Sequence, residues 1–443
     1  MSDVGSLIRR YFPLSKDEFC LGGVGVSSLA AKFGTPLFVY DHSVLERKFA
    51  LLRNSLPQSV AISYSVKANP NGAFLRYFLS KGCGLEIASG GEFHQALKAD
   101  CPASRIVFAG PGKTEAELEY VLRNGIGEIH AESVLELDRI SSISRQLNVR
   151  AHIAIRVNPT EDAQGGAMRM GGKPAPFGID EECLDGVLDR VLSDEALNFR
   201  GIHLFTGTQI LDAEVLLNQY RKGLEIARRT AQRAGSSLRT VDFGGGLGIP
   251  YFSNENELDM DGLRAGLVSI FSKIAAEEPF SGTQFMVEPG RYLVGEAGVY
   301  VTRINDIKTS RGKKYVIVDG GMNHHLAASG NLGQIIKRNY PIAVLNRLNE
   351  LPEQSVDVVG PLCTPLDVLG RSVQFPNVAV GDLVGVFQSG AYARAASPLG
   401  FLSHPTPPEV WIEAGRDVLI RRRGEFNDYV CDQYPDQAAV VTL

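Results

Sequence analysis

Between residues 60 and 290, short apolar runs alternate with longer segments in which apolar positions recur every three or four residues. That rhythm predicts strand–helix units wound around a parallel sheet. The strand candidates are 62–66, 84–88, 106–109, 128–131, 151–157, 201–204, 241–243 and 284–287. About eight such strands close a (β/α)8 barrel. Among the helical segments, Thr114 and Glu117 form a capping-box pattern ahead of Leu118, Val121 and Leu122, which share one face. Val44, Leu45, Phe49 and Leu52 repeat that logic earlier in the chain.

After Gly295 the pattern becomes short alternating strands, such as 315–318 and 383–387, separated by Gly, Pro and Asp turns. A C-terminal β domain, sandwich or barrel, is expected. A hairpin is read at 410–413 and 418–421 around 414–417, and 37–40 is expected to return to the same sheet. The expected organisation is 1–40 joining the β domain, a barrel over 41–295, and the β domain over 296–443. A chain of 443 residues exceeds a comfortable single core, which agrees with two domains.

With 44% hydrophobic and 21% charged residues, the chain has the means to bury a sizeable interior. Its formal charge of -5, with Lys and Arg scattered, argues against nucleic acid or an anionic membrane as a partner. The cysteines at 20, 83, 101, 183, 363 and 431 have no CxxC spacing, so reduced thiols are expected. Neither a leader-like apolar run at the amino terminus nor a bilayer-length segment is seen, and a cytoplasmic enzyme is expected.

In a barrel of this kind the polar residues at the carboxyl ends of the strands converge on one mouth. Lys67 follows the first strand, Glu86 lies on the second, Arg156 and Asn158 end the fifth, and Phe205 to Thr208 follow the sixth. Gly244-Gly245-Gly246 follows the seventh, and Glu288-Pro289-Gly290-Arg291 ends the eighth. A lysine, an anion cradle and a carboxylate form the inventory of a pyridoxal phosphate (PLP) site. A lysine at the end of a buried strand would be desolvated, leaving some neutral amine to form an imine. Three glycines let backbone N–H groups approach a phosphate; the plainer reading is a tight strand-to-helix turn. Glu288 beside a pyridine nitrogen would keep it protonated; its plainer reading is a salt bridge to Arg291.

Six segments carry a family resemblance: Tyr64-Ser65-Val66-Lys67-Ala68-Asn69, Gly90-Gly91-Glu92, the triple glycine, Glu288 to Arg291, Gly360-Pro361-Leu362-Cys363 and Gly390-Ala391-Tyr392. In this order they resemble the type III PLP decarboxylases, the group of ornithine, diaminopimelate and arginine decarboxylases. The resemblance spans roughly 35–410. It implies an alanine-racemase-like barrel, with Lys67 as the Schiff-base lysine and Glu288 at the pyridine nitrogen. It also implies phosphate contacts from Gly246, Thr208, Arg291 and Tyr392, and Glu86 near the cofactor hydroxyl. Arg156, Gly244, Gly245 and Gly290 complete the expected cofactor set. Phe205, where diaminopimelate enzymes usually have a histidine, is expected to stack on the ring, with His203 as a second contact. The family is typically a head-to-tail homodimer in which Cys363 would cross into the partner's site and supply a proton.

Departures from the pattern bear on substrate. Where diaminopimelate enzymes carry an Arg-Pro and a Tyr that read the distal end, this chain has His324-His325-Leu326-Ala327-Ala328. After Cys363, where an acidic residue would bind a distal amine, it has Thr364-Pro365. Thr364, His324 and Tyr392 are the substrate-side candidates. With 206–209 and 402–407, this pattern is most similar to the decarboxylase of butirosin biosynthesis, which acts on glutamate attached to an acyl carrier protein. The expected function is thus decarboxylation of a Glu- or Asp-like amino acid, free or delivered by a carrier protein; diaminopimelate decarboxylation is the alternative. Racemisation is disfavoured, because racemases generally place an arginine at the pyridine nitrogen. The adjacent His324 and His325 do not predict a metal, since neighbours on a strand point apart. Residues 161–176 read as a long loop, either a lid or a plain surface insertion.

Overall fold

The computed structural model describes residues 4–12, 18–160, 168–169, 174–205, 207–252, 254–274, 277–332, 334 and 337–433. Most of the segment 161–176, read as a lid or a surface insertion, falls outside them, as does Thr206. Two compact units separate: residues 45–250 with 254–295, and residues 1–44 with 251–253 and 296–443.

The first unit is a closed barrel of eight parallel strands: Val60–Ser65, Gly84–Ile87, Ile106–Phe108, Glu128–Ala131, Ala151–Asn158, Leu197–Leu204, Thr240–Asp242 and Gln284–Val287. Each pairs with the next, and Gln284–Val287 pairs back onto Val60–Ser65. The strands are nearly continuous in burial because helices cover the outer face and side chains fill the inside. A short extra strand, Ile179–Asp180, lies parallel to the fifth, which short periodic runs could not predict.

Local chemistry starts the helices where the barrel requires them. Asn71, Ser89, Thr114, Ser133 and Asp212 each cap a helix by accepting a backbone N–H. The capping box of Thr114 and Glu117 is formed in both directions, and Leu118, Val121 and Leu122 are buried as a face. The first strand stops at Ser65, one residue earlier than expected, because Val66–Ala68 tightens into a 3-10 turn.

The second unit is a β domain whose main sheet runs Val368–Phe375, Gln354–Val359, Lys313–Val318, Gly298–Ser310, Leu37–Asp41, Glu409–Glu413 and Arg416–Arg421. Gly298–Ser310 is the long organiser. Its first half pairs with Leu37–Asp41 and with Leu383–Val386, and after an irregularity at Ile304/Asp306 its second half pairs with Lys313–Val318. The hairpin turn is tighter than expected. Ala414 and Gly415 alone, at φ 50° and 75°, link Glu413 to Arg416, the two-residue geometry that matches strand twist.

Candidate active site

The barrel unit gathers the charged residues by strand register. Ser65 stands level with Glu86, and His203 stands level with Arg156 on one side and Asp242 on the other. Side chains at alternate positions therefore point into a common interior.

Lys67 sits in the 3-10 turn with its Nζ 2.9 and 3.0 Å from the two oxygens of Glu86, which is fully buried and also accepts from the Ser65 hydroxyl. The expectation of a desolvated amine is not met in this chain: the Lys67 side chain is 39% exposed. Its amine faces the Glu86 carboxylate as an ion pair. The Phe205 ring centroid lies 5.9 Å from the Lys67 Nζ and 5.7 Å from the Arg156 guanidinium.

Below these lies a buried cluster absent from the sequence reading. His130, His203, Asp242 and Glu288 present donor or acceptor atoms all within 4.8 Å of one another. The rings of His130 and His203 stack with centroids 4.3 Å apart. His203 Nε2 is 3.2 Å from Glu288 Oε2, and His130 Nδ1 is 3.8 Å from Glu288 Oε1. Burial raises the cost of charge on Glu288, but His203, its hydrogen bond, His130 and Lys67 outweigh it and hold the carboxyl well below its ordinary range. Burial and then the Glu288 charge push Asp242 well above its own range. Of the two carboxyls, Glu288 is the ionised one. Burial lowers His203 to about 4, so the ring is neutral and donates Nε2–H to Glu288. Two buried carboxyls in one pocket separate into acid and anion because like charges cannot both persist there.

Glu132, also unanticipated, fixes Arg156. It accepts from the guanidinium at 2.6 Å, from the Gly110 N–H at 2.6 Å and from the Gly178 N–H at 3.0 Å. Sequence signals existed for both features: polar residues two apart in an apolar strand, Glu128 and His130, and acids at strand ends, Glu132 and Asp242.

The glycine segment forms a close-packed bend. A Cβ on Gly244, at φ 66°, would meet the Leu204 carbonyl at 2.4 Å, and one on Gly245 would meet the Glu288 carbonyl at 2.8 Å. Gly246 accepts the Ile210 N–H at 2.9 Å, which brings it beside the Gly207–Thr208 strand. Gly290 and Arg291 follow Glu288 at the start of the short helix Arg291–Val294.

These residues suit a pyridine ring with an aldehyde and a phosphate. Glu288 Oε1 is buried and, among the described residues, accepts no N–H group; beside the acid proton of Asp242 it is an ionised acceptor of the kind a ring N–H would pair with. Lys67 offers the amine, while the space that side chains at Gly244 and Gly245 would need is taken by the Leu204 and Glu288 carbonyls, the packing of a tight strand-to-helix turn. The pyridoxal-binding domain of the pyridoxal-dependent decarboxylases matches residues 42–295, more than half of the chain. The chain belongs to this PLP-dependent decarboxylase family.

Other members place it further. It is 40% identical over 411 residues, 92% of this chain and 96% of the other, to the L-glutamyl-(BtrI acyl-carrier protein) decarboxylase of Niallia circulans. The diaminopimelate decarboxylase of Aquifex aeolicus is 32% identical, with 96% and 98% covered. A solved diaminopimelate decarboxylase from M. jannaschii superimposes with a TM-score of 0.87 at 26% identity, covering 97% of this chain and 98% of that one. As a PLP decarboxylase the chain is a carboxy-lyase, and among its described residues no helix is long and apolar enough to cross a membrane.

Cys363, Thr364, His324 and Tyr392 belong to the β unit. Cys363 is exposed in a loop held from behind by Asp367, which accepts the N–H groups of Leu362 and Met322. Tyr392 is half-buried at φ 54°. His324 is buried, 3.1 Å from the Tyr300 hydroxyl and 3.2 Å from the Asn323 amide, and the neighbouring His325 lies 2.9 Å from the Ser389 hydroxyl. Both lie in a turn, not on a strand.

Proposed function

We propose that the chain removes the α-carboxylate of an L-glutamyl group carried as a thioester on an acyl carrier protein, as a cytoplasmic homodimer with shared active sites. The observation that carries this reading is the exposed loop Cys363-Thr364-Pro365, which offers no carboxylate for a distal amine, together with the small buried Ala327 and Ala328 where a distal-carboxylate reader would stand. The 40% identity to a carrier-protein glutamyl decarboxylase supports it.

PLP, when bound, supplies the electron sink for the pair left behind as CO2 departs. Glu288 keeps its negative charge at the ring nitrogen, and neutral His203 holds that carboxylate in place. Glu86 orients the Lys67 amine and receives its positive charge. Arg156, clamped by Glu132, presents a fixed cation beside Phe205, while Gly244 to Gly246, Thr208 and Arg291 would hold the phosphate. Cys363 Sγ delivers the proton to Cα.

The test is CO2 release from free and carrier-bound Glu, Asp, diaminopimelate and ornithine. Carrier-bound glutamate should be the best substrate. Preference for free diaminopimelate would replace this reading with the diaminopimelate alternative.

A further inference from the structure

The barrel carries a further acid beneath the cluster around Glu288. Glu128 opens the strand Glu128–Ala131 and His130 stands two residues on, so both side chains point into the barrel, where both are buried. Each oxygen of Glu128 is held: Oε1 lies 3.2 Å from His130 Nε2, and Oε2 accepts the Thr240 hydroxyl at 2.8 Å, with the Arg200 guanidinium 3.9 Å away. The other ring nitrogen of His130, Nδ1, faces Glu288 Oε1 at 3.8 Å. A single imidazole thus stands between two buried acids, and its stack on the His203 ring, 4.3 Å between centroids, fixes its plane.

Packing alone does not call for this column. Barrel interiors are ordinarily filled by branched apolar side chains, and a buried acid or imidazole costs free energy that those avoid. What the column supplies is direction. A carboxylate at one nitrogen of an imidazole fixes the ring's orientation and decides what the other nitrogen presents. Here the other nitrogen faces the acid assigned to the cofactor ring. We infer that Glu128 is a positioning residue for the ring-nitrogen site: it acts through His130, which gives one N–H to Glu128 and turns the other toward Glu288, holding that carboxylate charged and in place for the ring nitrogen. The inference rests on the reading that Glu288 meets that nitrogen and adds the groups that stand behind it.

The deciding experiment is nitrogen NMR of the full-length protein. With isotope-labelled histidine at about pH 8, where exposed imidazoles are neutral, one buried histidine should keep protons on both ring nitrogens, and Glu128→Gln should abolish that signal. With PLP labelled at its ring nitrogen, the wild type should hold that nitrogen protonated. Glu128→Gln and His130→Phe should each lower the protonated fraction and weaken PLP binding about tenfold, the scale of one lost charged contact. The isosteric Gln keeps the packing and a partner for the Thr240 hydroxyl, so a merely structural Glu128 would give wild-type spectra and affinity in that variant. That result would overturn the inference. So would a wild-type protein in which no histidine carries both protons at that pH, a measurement that needs no variant and stands whether or not the variants fold. Glu288→Gln separates the two readings. A ring nitrogen that stays protonated in that variant removes Glu288 from the ring nitrogen, and the column's role with it; a ring signal that changes in Glu288→Gln but in neither Glu128→Gln nor His130→Phe removes the column's role alone.

Discussion

The Lys67 Nζ lies 2.9 Å from one oxygen of Glu86 and 3.0 Å from the other, while Glu86 is fully buried and the lysine is 39% exposed. The lysine is therefore the part of the pair that can move, and the carboxylate is the fixed part. Replacing Lys67 with Ala leaves Glu86, among the described residues, with the Ser65 hydroxyl as its hydrogen-bond partner. Borohydride reduction of the wild type with PLP should add cofactor mass at Lys67, and the variant should add none. The apo variant should also lose about 1–3 kcal/mol in urea unfolding, as expected for a buried group left short of a partner.

Glu288 keeps its charge through His203 and His130, so removing the charge without changing shape tests its role. Glu288→Gln should lower CO2 release by about 10²–10³-fold, in the range seen when one preorganised electrostatic group is lost. Cofactor binding, followed by absorbance, should persist. A variant with wild-type turnover would remove Glu288 from the electron-sink role.

Three buried histidines weaken the fold as pH falls. Burial lowers His203 to about 4, and lowers His324 and His325 to about 3. Each takes up a proton in the unfolded chain before it does so in the native one. Stability is then full above the unfolded value of roughly 6.5 and falls as pH drops toward the folded values. Between pH 7 and pH 5 each histidine should cost about 2 kcal/mol. Asp242 and Glu92, raised by burial and the latter to about 7, oppose this, since their raised folded values favour the native state at low pH and that stability is lost as pH rises. Urea titrations at the two pH values should show the net loss, and His325→Gln should reduce it.

Gly244 combines a φ of 66° with a Cβ position 2.4 Å from the Leu204 carbonyl. Gly244→Ala should therefore destabilise the protein by about 1–3 kcal/mol and weaken PLP binding, measured by thermal unfolding and cofactor titration. A variant with unchanged affinity would show that the bend does not cradle the phosphate.

If Cys363 acts in the partner's site, two inactive variants should complement each other. Mixing Lys67→Ala with Cys363→Ala after dissociation should restore about a quarter of wild-type activity, since half the dimers are mixed and each has one intact site. No recovery would place both residues in one subunit's site.

Much of this was legible locally. Strand-length apolar runs mark all eight barrel strands, because burial on both faces of a parallel sheet leaves a signal in each short segment. Lys67, the triple glycine and Glu288 stand out for the same reason, each being an unusual residue type in its own short stretch. The hairpin turn holds two residues and not the four of 414–417, because Asp417, a common turn residue, is paired with Ile412. The roles of His130, Asp242 and Glu132 are not legible locally, because each takes its meaning from partners on strands distant in the chain.

The sequence by itself determined the barrel, the place of the lysine and the presence of an acid on the eighth strand, since periodicity and adjacency are local properties. Only the tertiary structure decided which acid carries the charge. Glu288 and Asp242 are the same chemistry in one buried pocket, and the neutral N–H of His203, 3.2 Å from Glu288, makes the first the anion and leaves the second its proton.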